Sequence, residues 1–416
     1  MYGLIGKGVT HSFSSEIHKI LGNDNYQIFN VDKLEDFIND NQLIGYNVTM
    51  PYKTKIIQHL NEVDQIASAT NSVNTVIKKG NKLIGYNTDY YGFLELIKFY
   101  DLNFKNKKVI IIGNGSVSNT VVLALKELNV DKIVRLARNI KTDIDDKLDN
   151  FYLYKDYDVI INSTPIGMYP HNDQDLLFSI DSFTNLNFVI DLIYNPLRTK
   201  LLLEAESMNI KAINGMYMLI MQAKRAHEIF FNYELPLNVA NKIYRKLLKY
   251  LLNIVFIGLP LSGKSKYAKL LETKLNKRLY DTDEEIENVI GCTIFDFFQN
   301  HSEEEFRMYE TEIIRNLYKN HNCIISTGGG TIKKDINISL LKQNGIIIFL
   351  DKNPEIISTK NIKGRPLIKS GDDLIKIAEE RIPLYNKACD FSIAINKDTL
   401  YHINEIKEKI NEYLSR

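Results

Sequence analysis

Lys264 and Ser265 follow Gly263 in the stretch NIVFIGLPLSGKS, residues 253–265. With Gly258 they satisfy the GxxxxGKS spacing of a phosphate-binding loop, and Ser262 lies inside it. Glycines there let backbone N–H groups close around phosphate oxygens, and the start of the next helix adds positive potential. A lysine at that spacing reaches terminal phosphates, and the hydroxyl after it suits Mg²⁺. An apolar run at 254–257 predicts the strand that must feed such a loop.

A second set of polar residues stands at predicted strand ends in the first hundred residues. HSFSSEIH carries Ser12 and Ser14, whose hydroxyls share a face in extended backbone. Two hydroxyls on one face can hold a carboxylate, or they can cap the helix expected to begin near Ser15. LIGYNVTMPYK presents Asn47 and Thr49 on one face, Pro51 ends the strand, and Lys53 follows. A lone lysine there is ordinarily a solvated surface residue. Asn74, Asn87 and Asp89 occupy further strand ends. A cluster of Asn, Thr, Lys and Asp suits a polyhydroxylated ligand. Within it, Lys53 and Asp89 form the one pair suited to proton transfer.

A third signal is KKVIIIGNGSVSNT, residues 107–120. A buried strand runs into Gly113, Asn114 and Gly115, with Ser116 next and Ser118 where a dinucleotide fingerprint has its third glycine. A plain strand–helix turn has the same outline. The next strand, 132–136, ends at Ala137 and Arg138 with no acid, which favours the 2′-phosphate of NADP(H). Two further strands, at 158–161 and 188–192, end in polar or glycine turns. Gln222 lies on a helix expected over 215–230, and the helix alone favours a solvent-facing glutamine.

Beyond the phosphate loop, Asp281 and Asp283 alternate at a predicted strand end, so both should point the same way. One could hold Mg²⁺ through water while the other faces a substrate hydroxyl. Ser302 and Glu305 form a capping box on a helix bearing Arg307, a position where arginine is usually solvated. A strand at 324–326 ends in TGGG, which includes Gly329 and Gly330. GRPL contains Arg365, and RIPLY contains Arg381.

The elements holding these residues fit a chain of two or three α/β domains, given 416 residues. Hydrophobic content of 44% and charged content of 25% are those of a soluble globular protein. Net charge is +1, with no basic patch to recommend nucleic acid. Apolar runs are strand-sized, far short of a membrane span, and the N-terminus lacks a basic-then-apolar signal. Cys292, Cys323 and Cys389 are scattered and lack CxxC spacing, so reduced thiols and a cytoplasmic setting are expected. Residues 236–252 carry helical periodicity straight into the phosphate-loop strand, which predicts a short, stiff junction.

Taken as a set, residues 1–250 resemble shikimate dehydrogenase. The resemblance rests on GLIG with HSxS, NVTxPxK (47–53), VNT (73–75), NTDxxG (87–92), the glycine turn, YNPxxT (194–199) and GxxMLxxQ (215–222). Residues 253–416 resemble shikimate kinase through GxxxxGKS, DTD, FRxxE (306–310), TGGG, RPL and RxPLY. The resemblance implies an α/β chain: a two-lobed dehydrogenase module with a Rossmann-type NADP lobe, then a P-loop kinase domain with a parallel sheet. The implied domains are 1–95, completed by helices in 215–250; 96–214 for the nucleotide; and 253–416 for the kinase.

The implied activities are NADPH-dependent reduction of 3-dehydroshikimate and ATP-dependent, Mg²⁺-assisted 3-phosphorylation of shikimate. Lys53 and Asp89 match the dehydrogenase catalytic pair. Ser12, Ser14, Asn47, Thr49, Asn74, Asp89, Tyr194 and Gln222 match its substrate contacts. Gly113, Asn114, Gly115, Ser116, Arg138 and Gly215 would line the NADP site. For the kinase, Gly258, Ser262, Gly263, Lys264, Ser265 and Arg365 would contact ATP. Asp283, Arg307, Gly329, Gly330 and Arg381 would bind shikimate, with Ser265 and Asp281 on the metal. Lys264, Asp283 and Arg365 would carry the kinase chemistry. Both partners are small molecules. Departures from the family pattern fall at Ser15, Ser116 and Ala137, none of them catalytic. Two other readings are a silent sensor that keeps both folds and a quinate-preferring dehydrogenase fused to a kinase.

Overall fold

The computed structural model describes residues 1–9, 12–39, 43–174, 176–359 and 370–414. They form two compact units. The first comprises Met1–Met168, Gln174–Tyr194 and Glu204–Tyr244. The second comprises Tyr169–Asp173, Asn195–Leu203 and Arg245–Arg416.

The first unit contains two six-stranded sheets. One is mixed and runs Tyr26–Asn30, Tyr2–Gly6, Gly45–Val48, Thr75–Lys79, Lys82–Tyr86, Glu62–Val63. Its first three strands are parallel, and the 75–79 and 82–86 strands form an antiparallel hairpin. Ile5, Tyr46, Val48 and Val76 fill the core beneath it. The other sheet is wholly parallel: Lys211–Asn214, Phe188–Asp191, Val159–Asn162, Lys108–Ile112, Lys132–Ala137, Asp145–Lys147. Its central strands are continuous apolar runs because both faces are covered.

Helix Thr88–Phe99 packs along helix Met216–Phe231, and Gly92 sets how closely. A Cβ at Gly92 would lie 2.6 Å from the Met218 carbonyl oxygen and 3.1 Å from Gln222 Cβ. The contact therefore brings Gln222 beside the N-terminal end of the first helix.

The second unit has a five-stranded parallel sheet in the order Arg278–Asp281, Cys323–Ser326, Asn253–Ile257, Gly345–Asp351, Phe391–Ala394. Val255, Ile257, Ile325, Ile347 and Phe349 build its core. The two early segments are bonded firmly into this unit. Arg198 donates to Asp390 Oδ1 (2.8 Å), to the Lys342 carbonyl (2.8 Å) and to the Gly345 carbonyl. Leu197 N–H donates to Asn344 Oδ1 at 2.9 Å, and Gln343 Nε2 donates to the Asn172 carbonyl at 3.1 Å.

The helix predicted over 236–252 is Leu237–Leu251, directly followed by the strand Asn253–Ile257. Among the described residues the three cysteines are free, and no helix is long and apolar enough to cross a membrane.

Candidate active sites

Lys53 lies a few residues beyond the strand Gly45–Val48, and Asp89 is in the first turn of helix Thr88–Phe99. Lys53 Nζ donates to Asp89 Oδ2 at 2.6 Å, and both residues are buried, at 8% and 6% exposure. The solvated-surface reading of Lys53 is thereby overturned. Its backbone is tied down as well, with its carbonyl accepting from Val73 N–H at 2.8 Å. A buried lysine held by one carboxylate is an oriented proton donor.

A cluster of bonded polar side chains includes Thr88, the residue before Asp89. Asn74 Oδ1 accepts from Thr88 N–H (2.7 Å), and Asn74 Nδ2 donates to Gln222 Oε1 (3.3 Å). Gln222 therefore faces this cluster, contrary to the solvent-facing expectation, because the close helix contact at Gly92 turns it inward. Asn47 is almost fully buried. Its Oδ1 accepts from Tyr26 Oη (2.7 Å), and its Nδ2 donates to Thr75 Oγ1 (2.9 Å) and the Asn74 carbonyl (3.2 Å). Thr49 stands half-buried at the strand end.

Ser12 and Ser14 do not share an extended face. Ser14 is already the first residue of helix Ser14–Ile20, and the cap position, Phe13, makes no side-chain cap bond. Their hydroxyls meet regardless, with Ser12 Oγ donating to Ser14 Oγ at 2.9 Å. Tyr194 joins them. Burial pushes its phenol up, and a bond with the Ser12 hydroxyl opposes that shift.

At the nucleotide turn, Gly113 adopts φ +97°, where a side chain would strain the backbone. Gly115 caps helix Ser116–Glu127 and faces open space, so the turn offers a cradle free of side chains. Arg138 is exposed just past the strand Lys132–Ala137. Gly215 caps helix Met216–Phe231 and packs against the backbone of Leu192, leaving no room for a Cβ.

Sequence reasoning saw no acid here, yet Asp145 is central. It accepts from Asn114 Nδ2 (2.9 Å), Arg135 Nε (2.6 Å) and Thr142 Oγ1 (3.0 Å). Burial alone would raise this carboxyl. The bonds from Asn114, Lys141 N–H, Arg135 and Thr142 hold it down at about 2. Asp145 thus fixes the Asn114 side chain and the loop after Arg138. It lies on the neighbouring strand, beyond the spacing searched.

In the second unit, Gly258 and Gly263 take φ +147° and +108°, and helix Lys264–Leu275 starts directly after. Lys264 Nζ donates to the Gly258 and Leu259 carbonyls at 2.9 and 3.0 Å. Ser262 is buried, and its hydroxyl has no protein partner. Ser265 Oγ donates to Asp281 Oδ2 at 2.7 Å. A hydroxyl beside a carboxylate is a hard-oxygen donor set that fits Mg²⁺, which takes few protein ligands and completes its shell with phosphate oxygens and water.

Asp281 and Asp283 do not alternate along a strand. The strand ends at Asp281, which caps helix Thr282–Ile290 and accepts from Asp283 N–H at 3.1 Å. The carboxylates therefore have separate surroundings. Asp281 bonds Ser265, while Asp283 lies against Gly328, whose added Cβ would fall 2.8 Å from Asp283 Oδ1.

Arg307 is buried, not solvated. It donates to Glu310 Oε2 at 3.0 Å and to Glu303 Oε1 at 3.0 Å. Gly330 makes its position possible, since a Cβ there would overlap the guanidinium. Glu310, fully buried, also accepts from Thr331 Oγ1 at 2.6 Å and so ties Arg307 to the glycine loop. The i,i+3 spacing within FRxxE was the signal for it. Arg381 donates to the Gly329 carbonyl at 3.0 Å, and its buried Nε has no protein partner. Arg365 lies outside the described residues.

Comparison with known proteins finds a family match in each part of the chain. The shikimate dehydrogenase substrate-binding domain family matches residues 4–76. A shikimate dehydrogenase (NADP(+)) from Clostridium beijerinckii is 35% identical over 261 residues, covering 58% of this chain and 96% of the relative. The chain belongs to the shikimate dehydrogenase family. A Clostridium botulinum shikimate dehydrogenase (NADP(+)) is 39% identical over 248 residues, covering 54% of this chain and 93% of that protein. The crystal structure of a chorismate mutase/shikimate 5-dehydrogenase fusion from Clostridium acetobutylicum superposes with TM-score 0.55 and 31% identity, covering 59% of this chain and 96% of the other.

The shikimate kinase family matches residues 260–413. A shikimate dehydrogenase domain is thus fused to a C-terminal shikimate-kinase-like domain. The Lys53–Asp89 pair lies in the first unit, and the loop before helix Lys264–Leu275 lies in the second.

Proposed function

We propose that this chain reduces 3-dehydroshikimate to shikimate with NADPH and then phosphorylates shikimate on its 3-hydroxyl with ATP. The observation that carries the reading is the buried Lys53–Asp89 ion pair at 2.6 Å, next in the chain to the bonded cluster of Asn74, Thr88 and Gln222. NADPH would supply the hydride. As hydride reaches the ketone carbon, charge builds on its oxygen. The Lys53 ammonium stabilises that charge and delivers the proton that completes the alcohol. Asp89 keeps the ammonium aimed. Ser12, Ser14 and Tyr194 offer hydroxyls to the substrate carboxylate, and Asn47 and Thr49 complete the pocket wall. Gly113, Asn114, Gly115, Ser116 and Gly215 would line the cofactor site, with Arg138 reading the 2′-phosphate.

In the kinase, Mg²⁺ would neutralise phosphate charge beside Ser265 and Asp281. Lys264 would steady the transferred phosphoryl group, and Arg365 would close over it by analogy with the family's lid. Asp283 would take the proton of the attacking hydroxyl. Arg307 and Arg381 would grip the substrate carboxylate beside Gly329 and Gly330; the unpartnered Nε of Arg381 supports this. We assign residues 1–95 with helices in 215–250 to the dehydrogenase substrate lobe, 96–214 to the nucleotide lobe and 253–416 to the kinase, with Tyr169–Asp173 and Asn195–Leu203 of the middle range packed into the second unit. Free cysteines fit a reducing cytoplasm.

The test supplies 3-dehydroshikimate, NADPH and Mg·ATP together. NADPH oxidation with appearance of a phosphorylated product is expected. Ligand binding without turnover would overturn the reading.

A further inference from the structure

Asn87 stands between the strand Lys82–Tyr86 and the helix Thr88–Phe99, which it caps. Its Oδ1 accepts from the N–H groups of Asp89 (3.1 Å) and Tyr90 (3.4 Å). Capping needs only an acceptor, and serine, threonine or aspartate would serve. The Asn87 amide does more. Its Nδ2 donates to Thr70 Oγ1 and to Thr120 Oγ1, both at 2.9 Å. Thr70 ends helix Gln65–Thr70, whereas Thr120 lies in helix Ser116–Glu127, which begins at the nucleotide turn. All three side chains are buried, at 5%, 2% and 0% exposure. Asn119 adds a parallel link from the nucleotide helix, with its Nδ2 donating to the Thr70 carbonyl at 3.4 Å. An asparagine side chain has two donor hydrogens, and here both reach other helices while its oxygen holds the backbone of Asp89.

We propose that the Asn87–Thr120 hydrogen bond is a joint that sets the Lys53–Asp89 pair at a fixed distance from the nucleotide-turn helix. Asn87 and Thr120 are positioning residues. The proposal rests on Lys53–Asp89 being the proton-handling pair. Its logic is geometric. Proton and hydride must reach adjacent atoms of one carbonyl, and small misplacements of reacting groups are costly in rate. Nothing else in the cap demands a donor. A buried amide N–H left without its acceptor would loosen the turn that carries Asp89.

The test compares Thr120→Val, Thr120→Ala and Thr120→Ser in the full chain. Val and Ala remove the hydroxyl with opposite packing errors, and Ser keeps it. Without cofactor, amide hydrogen exchange at Asp89 and Tyr90 should quicken about 10-fold in Val and Ala but not in Ser. Dehydrogenase kcat should fall about 10-fold in the same two variants, with NADPH affinity within about twofold of wild type. Retained NADPH affinity shows that the first unit is folded, and kinase kcat should be unchanged in all three because that loop lies in the second unit. An effect in only one of Val and Ala, or an equal loss in Ser, would mean packing and overturn the joint. So would faster exchange with unchanged kcat, or a fall in kcat without faster exchange. If the wild-type chain does not turn over 3-dehydroshikimate, the functional reading fails separately, and the exchange data alone decide the joint.

Discussion

Lys53 and Asp89 are far apart in sequence, and one hydrogen bond joins them where both are buried. Lys53→Ala should lower dehydrogenase kcat by about 10² or more, the usual scale of general-acid and charge stabilisation. NADPH binding, measured by fluorescence titration, should persist; a change confined to KM would mean the lysine only binds substrate. The two kinase aspartates should separate in the same manner. Asp281 bonds Ser265, so Asp281→Asn should raise the Mg²⁺ requirement and be partly rescued by added metal. Asp283 lies against the glycine loop, so Asp283→Asn should collapse kcat while Mg·ATP still binds. Equal rescue of both variants across a Mg²⁺ titration would refute the division. At this scale the motifs picked out polar residues that the fold brings together, as with Lys53 and Asp89 or Ser265 and Asp281. They could not show burial: Lys53 and Arg307 read as surface cations until the fold closed over them. Residues whose partners are other side chains escaped, as with Asp145 and Thr120, because a single sequence does not reveal who faces whom.

Elements were legible where an apolar run or a helical period was long. The strands at 108–112 and 323–326 and the helix at 237–251 fall within a residue or two of expectation. Ends were the weak point. Helix Thr282–Ile290 starts two residues earlier than an extended DTD allows, which alone redirects Asp283. Helix packing was also invisible, and it produces a pH response. His18, on helix Ser14–Ile20, stacks on Tyr26 with ring centroids 4.0 Å apart and is fully buried. Burial, and next the neighbouring His227, lowers its pKa to about 3. Burial lowers His227 to about 4 against the opposing charge of Glu228. In the unfolded chain both titrate near about 6.5. Above that pH they cost nothing. As pH falls below it, the unfolded chain gains protons that the fold refuses, so stability drops until the folded pKa values are reached. By pH ~5 the loss is about 2 kcal/mol per histidine, or a fall of roughly 10 °C in Tm for the dehydrogenase unit. His227→Phe should remove about half of this acid sensitivity in thermal melts at neutral and acid pH. An unchanged acid response would show that other groups cause it.

Across the whole molecule, length and the position of the phosphate loop announced a second domain, but not where its parts come from. The second unit includes Tyr169–Asp173 and Asn195–Leu203, drawn from before the loop. No periodicity marks such segments, because their partners lie far along the chain. Arg198 shows what holds them. Its guanidinium binds Asp390 and two backbone carbonyls, and Asp390 also accepts from Ile347 N–H at 2.7 Å. Arg198→Met would leave a largely buried carboxylate without its counter-charge, a change that typically costs about 3–5 kcal/mol. The melting transition of the second unit should drop by roughly 10 °C, read as heat inactivation of kinase activity. A shift of less than about 2 °C would show the pair to be dispensable. The same arrangement has a hereditary consequence. No single break in the gene yields two whole proteins, because any cut between residues 203 and 253 leaves Arg198 on one product and Asp390 on the other. Before the halves could part, a lineage would first have to neutralise Asp390 by another route. The fusion therefore acts as a ratchet that resists being undone.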